Sequence, residues 1–435
     1  WMIPEDRLSE DQRQFIDGFF SSFIGKKTRF LLKLKWSITK KQLNLVDYQF
    51  HFNKLCKKSV LLLQGFDSQE IMSNVLHLIY DIIRKHKNGS IAILVPNNLL
   101  ISILNSELSE LRVPERNIQI SNYFHFIQNN TKEFDYIFSI EGLELTFDMI
   151  KKLSKITNIL MLSNSYFLSN NINPYTKEPT ISKEEIELIV NATWSCNTIY
   201  RLSKSLIKIV SLLNPSTSTL SSKKNNSKTD VTPNLLKAST KEKEVEYILS
   251  KSKDAIGNSD ETVVVILPGH DSVIEFINIA LRQYNKNIWD KDDRSNQNRW
   301  GKPDFGTLNN HLVNNNVDIE YIGNNYGDLY NSGEKGKIIV MTYHSSKGLD
   351  FDNVFLPFMG DSHYERSLYY FTDTLFMVGM TRSKLALTIT YSGKMHEFVA
   401  RIADSCNADS CNKVDIDKIL NQSKNSNNFD DDFDF

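Results

Sequence analysis

Four cysteines in 435 residues, scattered at Cys56, Cys196, Cys406 and Cys411, exclude a disulfide framework and fit a reducing compartment. Cys406 and Cys411 share a spacing that some zinc sites use, but no second Cys or His pair lies near them in sequence, so they read as free thiols. No apolar run approaches the ~20 residues of a membrane span, and no basic segment followed by an apolar stretch opens the chain. Neither a span nor a secretory signal is expected, and the expected location is cytoplasmic. Charge of one sign is missing too. With 51 Lys and Arg against 52 Asp and Glu, the net charge of −1 excludes a globally basic nucleic-acid binder and confines any DNA contact to local patches.

What is present is enough apolar material, 40% of residues, for a sizeable core, in a chain too long for one domain of ~100 to 200 residues. Short aliphatic runs alternate with helical patterns at Val60 to Gln64, Ile91 to Val95, Ile118 to Ile120, Asp135 to Ile140 and Asn158 to Leu162. That rhythm predicts an α/β domain with a parallel sheet. The stretch Asn214 to Asn234, rich in Ser, Thr, Asn and Lys, has almost nothing to bury and reads as a linker. A second α/β unit follows: a helical pattern over Lys241 to Ser252, a strand over Thr262 to Leu267, a helix over Ser272 to Tyr284, then strands at Lys337 to Thr342, Asn353 to Pro357 and Leu385 to Tyr391. The polar region from Asn285 to Gly333 is expected to loop over the surface, and Ser423 to Phe435 to be disordered in isolation. The predicted organisation is therefore a domain over 1–213, a linker over 214–240, a domain over 241–400 and a polar, acidic tail over 401–435.

Two segments carry chemistry. Val340 to Leu356 reads VMTYHSSKGLDFDNVFL, and Phe371 to Lys384 reads FTDTLFMVGMTRSK. Thr342, His344, Ser345 and Ser346 follow a strand, at the end of an open sheet where ligands bind. Lys347 and Gly348 suit close approach to an anion, since glycine removes a side-chain obstruction and lysine adds charge. In order and spacing these segments resemble the fifth and sixth motifs of the UvrD/Rep branch of superfamily 1 DNA helicases. The resemblance implies two RecA-like domains with parallel sheets. It also implies single-strand contacts through Thr342, His344, Ser345 and Lys347, and an arginine finger at Arg382 that reaches the terminal phosphate of a nucleotide. More weakly, Leu8, Ser9 and Gln12 resemble the adenine-reading glutamine motif, and Tyr200 and Arg201 resemble the N-Y-R of the fourth motif.

The first half departs from that family where nucleotide is held. A phosphate loop needs glycines for backbone N–H donors, a lysine for the β/γ charge and a hydroxyl for Mg²⁺. After Val60 to Gln64 the chain instead reads GFDSQEIM, with Asp67, Glu70, Ile71 and Met72 at or beside those positions. In FDYIFSIEGLEL, Glu141 matches the family's catalytic glutamate, but Ile140 stands at the Mg²⁺-binding aspartate and Leu143 at the glutamine. The third motif's Asp and Gln correspond to Asn164 and Phe167. These losses predict a chain that does not hydrolyse ATP and needs no resident cofactor.

Candidate DNA contacts lie elsewhere. Lys26 to Lys58 holds ten basic residues against one acid, with Lys33, Lys35, Lys40 and Lys41 interleaved with Trp36 and other aromatics. Basic charge tracks phosphates and exposed rings stack bases; equally, the rings could form core beneath a solvated basic face. Asn122 to Phe126 (NYFHF) resembles a single-strand-contacting segment of the family, or supplies packing. The ending from Asp430 to Phe435 resembles the acidic, phenylalanine-ended tip of bacterial single-stranded-DNA-binding proteins, which docks on partner proteins.

The preferred expectation is a pseudo-helicase acting as a DNA-binding or scaffolding subunit on single-stranded or partly duplex DNA, in DNA processing or antiviral defence, with a protein partner and no membrane. Two alternatives stand beside it. One is an active 3′ to 5′ helicase using ATP and Mg²⁺ through Gln12, Glu141, Arg201 and Arg382; the other is an interaction module without DNA binding.

Overall fold

A computed structural model describes residues 59–65, 75–76, 78–79, 82, 89–110, 117–165, 173, 176, 178–195, 198–199, 202–213, 224–225, 230–259, 261–323, 325–360, 372–405 and 412–427. The chain divides into two compact units, Trp1–Thr198 and Ile199–Phe435.

The first unit is built on a six-stranded sheet from β1 (Ser59–Gly65), β2 (Ile91–Val95), β3 (Ile118–Asn122), β4 (Phe134–Ser139), β5 (Thr157–Ser165) and β6 (Ala192–Ser195). The order is β3-β2-β4-β5-β1-β6, and every ladder is parallel. Parallel strands covered on both faces read as unbroken aliphatic runs, and Ile91–Val95 is buried at every position. Helices α1 (Asn98–Glu110), α2 (Tyr123–Asn129), α3 (Phe147–Lys155) and α4 (Lys183–Ile189) belong to the unit, as do the helical and buried Val75, Leu78, Ile79 and Ile82. Their starts are written locally: Asn122 caps His125 N–H, Thr146 caps Met149 N–H, and Ser182 with Glu185 forms a capping box. Helix α3 buries Met149, Ile150 and Leu153, carries Asp148 in its first turn and ends on Lys152 and Lys155, in accord with the helix dipole.

In the second unit, helix α5 (Lys204–Leu213) follows the short strand β7 (Thr198–Ile199), and β8 (Lys224–Asn225) is equally short. Its seven-stranded sheet holds β9 (Asn234–Ala238), β10 (Val263–Leu267), β11 (Ile319–Tyr321), β12 (Ile338–Thr342), β13 (Phe351–Leu356), β14 (Ser383–Ser392) and β15 (Asn412–Asp415). The order is β11-β12-β10-β13-β14-β9-β15, again parallel throughout. Helices α6 (Lys241–Ser259), α7 (His270–Gln283), α8 (Phe305–Asn314), α9 (Leu329–Glu334), α10 (Asp373–Met380), α11 (Glu397–Ser405) and α12 (Ile416–Asn427) complete it. Strand β10, VVVIL, is wholly buried, and each such aliphatic side chain contributes roughly 1.5 to 3 kcal/mol. Both sheets are the α/β parallel architecture expected of two RecA-like domains.

The predicted boundaries shift. The compact division falls at Thr198, and α5 packs on α11 of the second unit, with Arg401 donating to the carbonyls of Leu212 and Leu213. The expected linker over 214–240 ends in β9, an interior strand whose Leu235 and Leu236 are buried. The region 285–333, expected to be loops, contains α8, β11 and α9. The expected polar tail from 401 contributes β15 and α12, and Ile416 and Leu420 belong to the core. Helix α12 reaches Asn427, inside the segment expected to be disordered.

Candidate nucleic-acid interface

Strand β12 ends at Thr342, paired with Leu267 at the end of β10, so the segment Tyr343 to Gly348 leaves at the carboxyl edge of the sheet. It coils tightly on itself. Ser345 N–H donates to Thr342 Oγ1 at 3.3 Å, the two hydroxyls lie 3.1 Å apart, and Ser346 N–H donates to the Thr342 carbonyl at 3.1 Å. Ser346 Oγ donates to the Tyr343 carbonyl at 2.9 Å. Gly348 closes the turn at φ +79°, a left-handed conformation that favours glycine. Thr342, Ser345 and Lys347 are buried, whereas His344 is half-buried. Of the expected DNA contacts, Thr342, His344, Ser345 and Lys347 thus come together at the end of β12 and in the loop after it. There, the Thr342 and Ser345 hydroxyls face each other and His344 is the more accessible side chain.

Arg382 is enclosed behind that loop. Its Nε donates to the Val378 carbonyl at 2.9 Å, Nη1 to the Leu349 carbonyl at 3.0 Å, and Nη2 to Thr381 Oγ1 at 3.3 Å. The residue is 2% exposed, and Nη1 lies 4.0 Å from Oδ1 of Asp350, whose side chain is fully enclosed. Helix α10 aims it: Thr372 caps Leu375 N–H at 3.1 Å, and Gly379 lets the helix rest on Tyr343. The guanidinium therefore ties the loop to the end of α10. The sequence signalled its partner in the Asp of KGLDF.

Aromatic groups continue the same edge. His270, the first residue of α7 after β10, places Nε2 3.1 Å from Tyr321 Oη at the end of β11, with its ring 4.8 Å from that of Phe305. Burial lowers the His270 imidazole pKa below its usual value and raises that of the Tyr321 phenol. A Cβ on Gly323 would lie 2.7 Å from Ser345 Oγ and 2.8 Å from Tyr321 Oη, so β11 and the loop after β12 meet here.

In the first unit, β4 delivers Glu141 just past its carboxyl end. Glu141 adopts φ 53°, ψ 42° and is buried. A non-glycine residue there carries strain of order 1 to 3 kcal/mol. Gly142 follows because a Cβ would lie 3.0 Å from Leu162 Cδ2 and 3.1 Å from Ser139 Oγ. Asn164 on β5 is buried in register with Gln64 of β1. Tyr123 and Phe126 of the NYFHF segment are core, while His125 is exposed.

Gln12, Lys33, Lys35, Lys40, Lys41, Trp36, Arg201 and the tail Asp430 to Phe435 lie outside the described residues, as do Asp67, Glu70 and Ile71. Sequence reading did not anticipate Glu244, a buried carboxylate on α6. Its Oε2 accepts from Phe358 N–H at 2.8 Å and Thr390 Oγ1 at 2.5 Å. It also passed over the exposed Trp300. Among the described residues no group of His, Cys, Asp and Glu could hold a metal ion, and no helix is long and apolar enough to cross a membrane.

Residues 309–394, running from within α8 to just past β14, match the UvrD-like helicase C-terminal domain. The second unit thus carries a helicase-related, UvrD-like domain. Among solved structures, the C-terminal domain of a possible DNA helicase from Lactobacillus plantarum WCFS1 is similar at 15% identity, over 49% of this chain and 98% of that one, with a TM-score of 0.30. The arterivirus nonstructural protein 10 helicase is similar at 11% identity, over 80% of this chain and 64% of that one, with a TM-score of 0.39. The PRRSV helicase is similar at 12% identity, over 78% and 53%, with a TM-score of 0.38. The chain therefore spans less than two thirds of either viral protein. No curated protein matches the sequence.

Proposed function

We propose that the chain is a pseudo-helicase of the UvrD/Rep type: a subunit that binds single-stranded or partly duplex DNA and scaffolds a DNA-processing or defence complex without hydrolysing ATP. The observation that carries this reading is the state of Arg382, whose guanidinium is 2% exposed and donates to Val378, Leu349 and Thr381 within its own unit. An arginine occupied in this way acts as an internal clamp. The sequence of the first unit supports the same reading, since GFDSQEIM offers Glu70 and Ile71 where a triphosphate would need glycine and lysine, with Asp67 adding a second negative charge. On this view neither ATP nor Mg²⁺ is a resident cofactor, and the acidic ending from Asp430 to Phe435 serves a protein partner.

The test is phosphate release by the purified chain with and without oligo(dT), alongside DNA binding across a salt series. The expected outcome is no DNA-stimulated turnover, together with affinity that falls as salt rises. DNA-stimulated turnover that Glu141→Gln abolishes would show an active helicase. Absence of any salt-dependent binding would leave a protein-interaction module.

A further inference from the structure

We infer that the turn Asn298 to Lys302 is a stacking platform for an unpaired nucleobase, at the same edge of the second unit as the loop after β12. This site rests on the reading of the chain as a single-stranded-DNA binder and locates part of that binding at Trp300.

The turn is built rather than loose. Asn298 Oδ1 accepts from Trp300 N–H at 3.0 Å and from Lys302 N–H at 3.2 Å, Asn298 N–H donates to the Lys302 carbonyl at 2.8 Å, and Gly301 N–H donates to the Asn298 carbonyl at 2.9 Å. Gly301 takes φ +69°, and an antiparallel bridge joins Gln297 to Pro303 at its base. The result holds Trp300 out at 68% exposure, the largest side chain among the exposed hydrophobics of the described residues. A lone exposed apolar residue needs no explanation. An indole held outward by a turn of four hydrogen bonds, two of them to the Asn298 side chain, with a guanidinium on its face, does. The Arg299 guanidinium carbon lies 4.0 Å from the Trp300 ring centroid.

Within the turn the charge is positive, since Arg299 and Lys302 are the charged side chains between Ser295 and Pro303. Outside it, Asp293 accepts from Ser295 N–H and Oγ, Asp304 from Gly306 N–H and Asp290 from Asp292 N–H, all keeping their charge, while Lys291 pairs with Asp271. Asp290, Asp292 and Asp293 are exposed acids on the segment before the turn. Arg294, Arg299 and Lys302 have no carboxylate partner among the described residues. Position supports the same occupant. Asp304 caps α8, whose first residue, Phe305, packs 4.2 Å from the Tyr321 ring. Tyr321 and Gly323 in turn adjoin Ser345 in the loop after β12. A DNA strand following that edge would meet both the loop and the Arg299–Trp300 pair. Bases stack on such rings without regard to sequence, and the cations follow the phosphates.

The test uses the full chain and a short fluorescein-labelled oligo(dT), with anisotropy read across a salt series. Trp300→Ala is expected to weaken binding by about fivefold to about 150-fold with an unchanged salt slope, and Trp300→Phe to recover most of the loss. The Arg299→Gln, Lys302→Gln double variant should flatten the salt slope by up to about 1.4, at about 0.7 per phosphate contact. Iododeoxyuridine in the oligomer should photocrosslink to the peptide holding Trp300. If wild type binds and Trp300→Ala binds equally well with the same crosslinks, the platform is wrong while DNA binding stands. If wild type does not bind oligo(dT) at all, both readings fall. Because Trp300 is exposed, its substitution should leave the thermal unfolding curve in place, which separates lost stacking from lost fold.

Discussion

The N–H of Phe358 donates to Oε2 of Glu244 at 2.8 Å across 114 positions of chain, and Phe358 holds a left-handed backbone conformation, φ 63°, to make that contact. The same carboxylate oxygen accepts from Thr390 on β14, so one buried acid joins α6, the end of β14 and the segment after β13. Burial raises the Glu244 pKa, opposed by the hydrogen bonds from Thr390, Phe358 and Ser392 and by the charge of Lys241.

Removing that acid should cost more than its size suggests. Glu244→Ala leaves a buried N–H and a buried hydroxyl without their acceptor, and should lower unfolding free energy by about 2 to 4 kcal/mol in urea denaturation. The pH dependence has a definite sign. A carboxyl whose folded pKa is raised adds stability that is complete below its unfolded value near 4.5 and is lost as pH rises through the folded value. Wild type should therefore gain Tm relative to Glu244→Gln as pH falls from neutrality toward 5, as read by differential scanning calorimetry. A difference that does not vary with pH would contradict the assignment.

Arg382 should behave as a structural group in a stability measurement. Arg382→Ala leaves the enclosed Asp350 without its guanidinium neighbour, and should destabilise the second unit by about 3 to 5 kcal/mol. Arg382→Lys should restore little, because an ammonium cannot reach Val378, Leu349 and Thr381 with planar geometry. Urea titration followed by far-UV circular dichroism decides it. A stability unchanged in both variants would return Arg382 to a phosphate-sensing role.

Gly379→Ala should be costly despite the usual helix preference for alanine. The added methyl would overlap the Tyr343 ring edge, 2.8 Å from Cδ1, and lie 3.3 Å from Leu356 Cδ2. Tyr343 is fully buried and cannot step aside, so a loss of about 1 to 3 kcal/mol is expected, with a lower thermal midpoint. A stabilised variant would mean that α10 can ride away from the loop.

Interior strands were legible because burial on both faces writes them as unbroken aliphatic runs. Ile91–Val95 matches its predicted span residue for residue, and β10 and β12 start one residue late. What escaped notice was short or polar. Strand β11 is three residues, IEY, and β15 reads NKVD at an exposed sheet edge. Strand β9, NLLKA, emerges directly from a stretch dominated by Ser, Thr, Asn and Lys. At the site, the sequence places Thr342 to Lys347 just after a strand, at the sheet's carboxyl edge, whereas Arg382 is singled out through the resemblance to the sixth helicase motif. That the arginine would be used up by carbonyls 4 and 33 residues away could not be read there, since a carbonyl leaves no mark in the sequence. Glu244 was hidden for a related reason: an acid in a Lys- and Glu-rich helix looks solvated until the fold turns it inward.

Strand β9 begins the second sheet in sequence yet lies between its last two members, paired with β14 on one side and β15 on the other. Ser239, just past β9, is tied to Asp417 at a separation of 178 residues. A ribosome making this chain must hold the β9 segment without either neighbour until the distant β14 and then β15 have emerged. The second unit is therefore committed to folding late and all together. A chain stopped before Asn412 would leave the β9 edge bare, open to pairing with another chain.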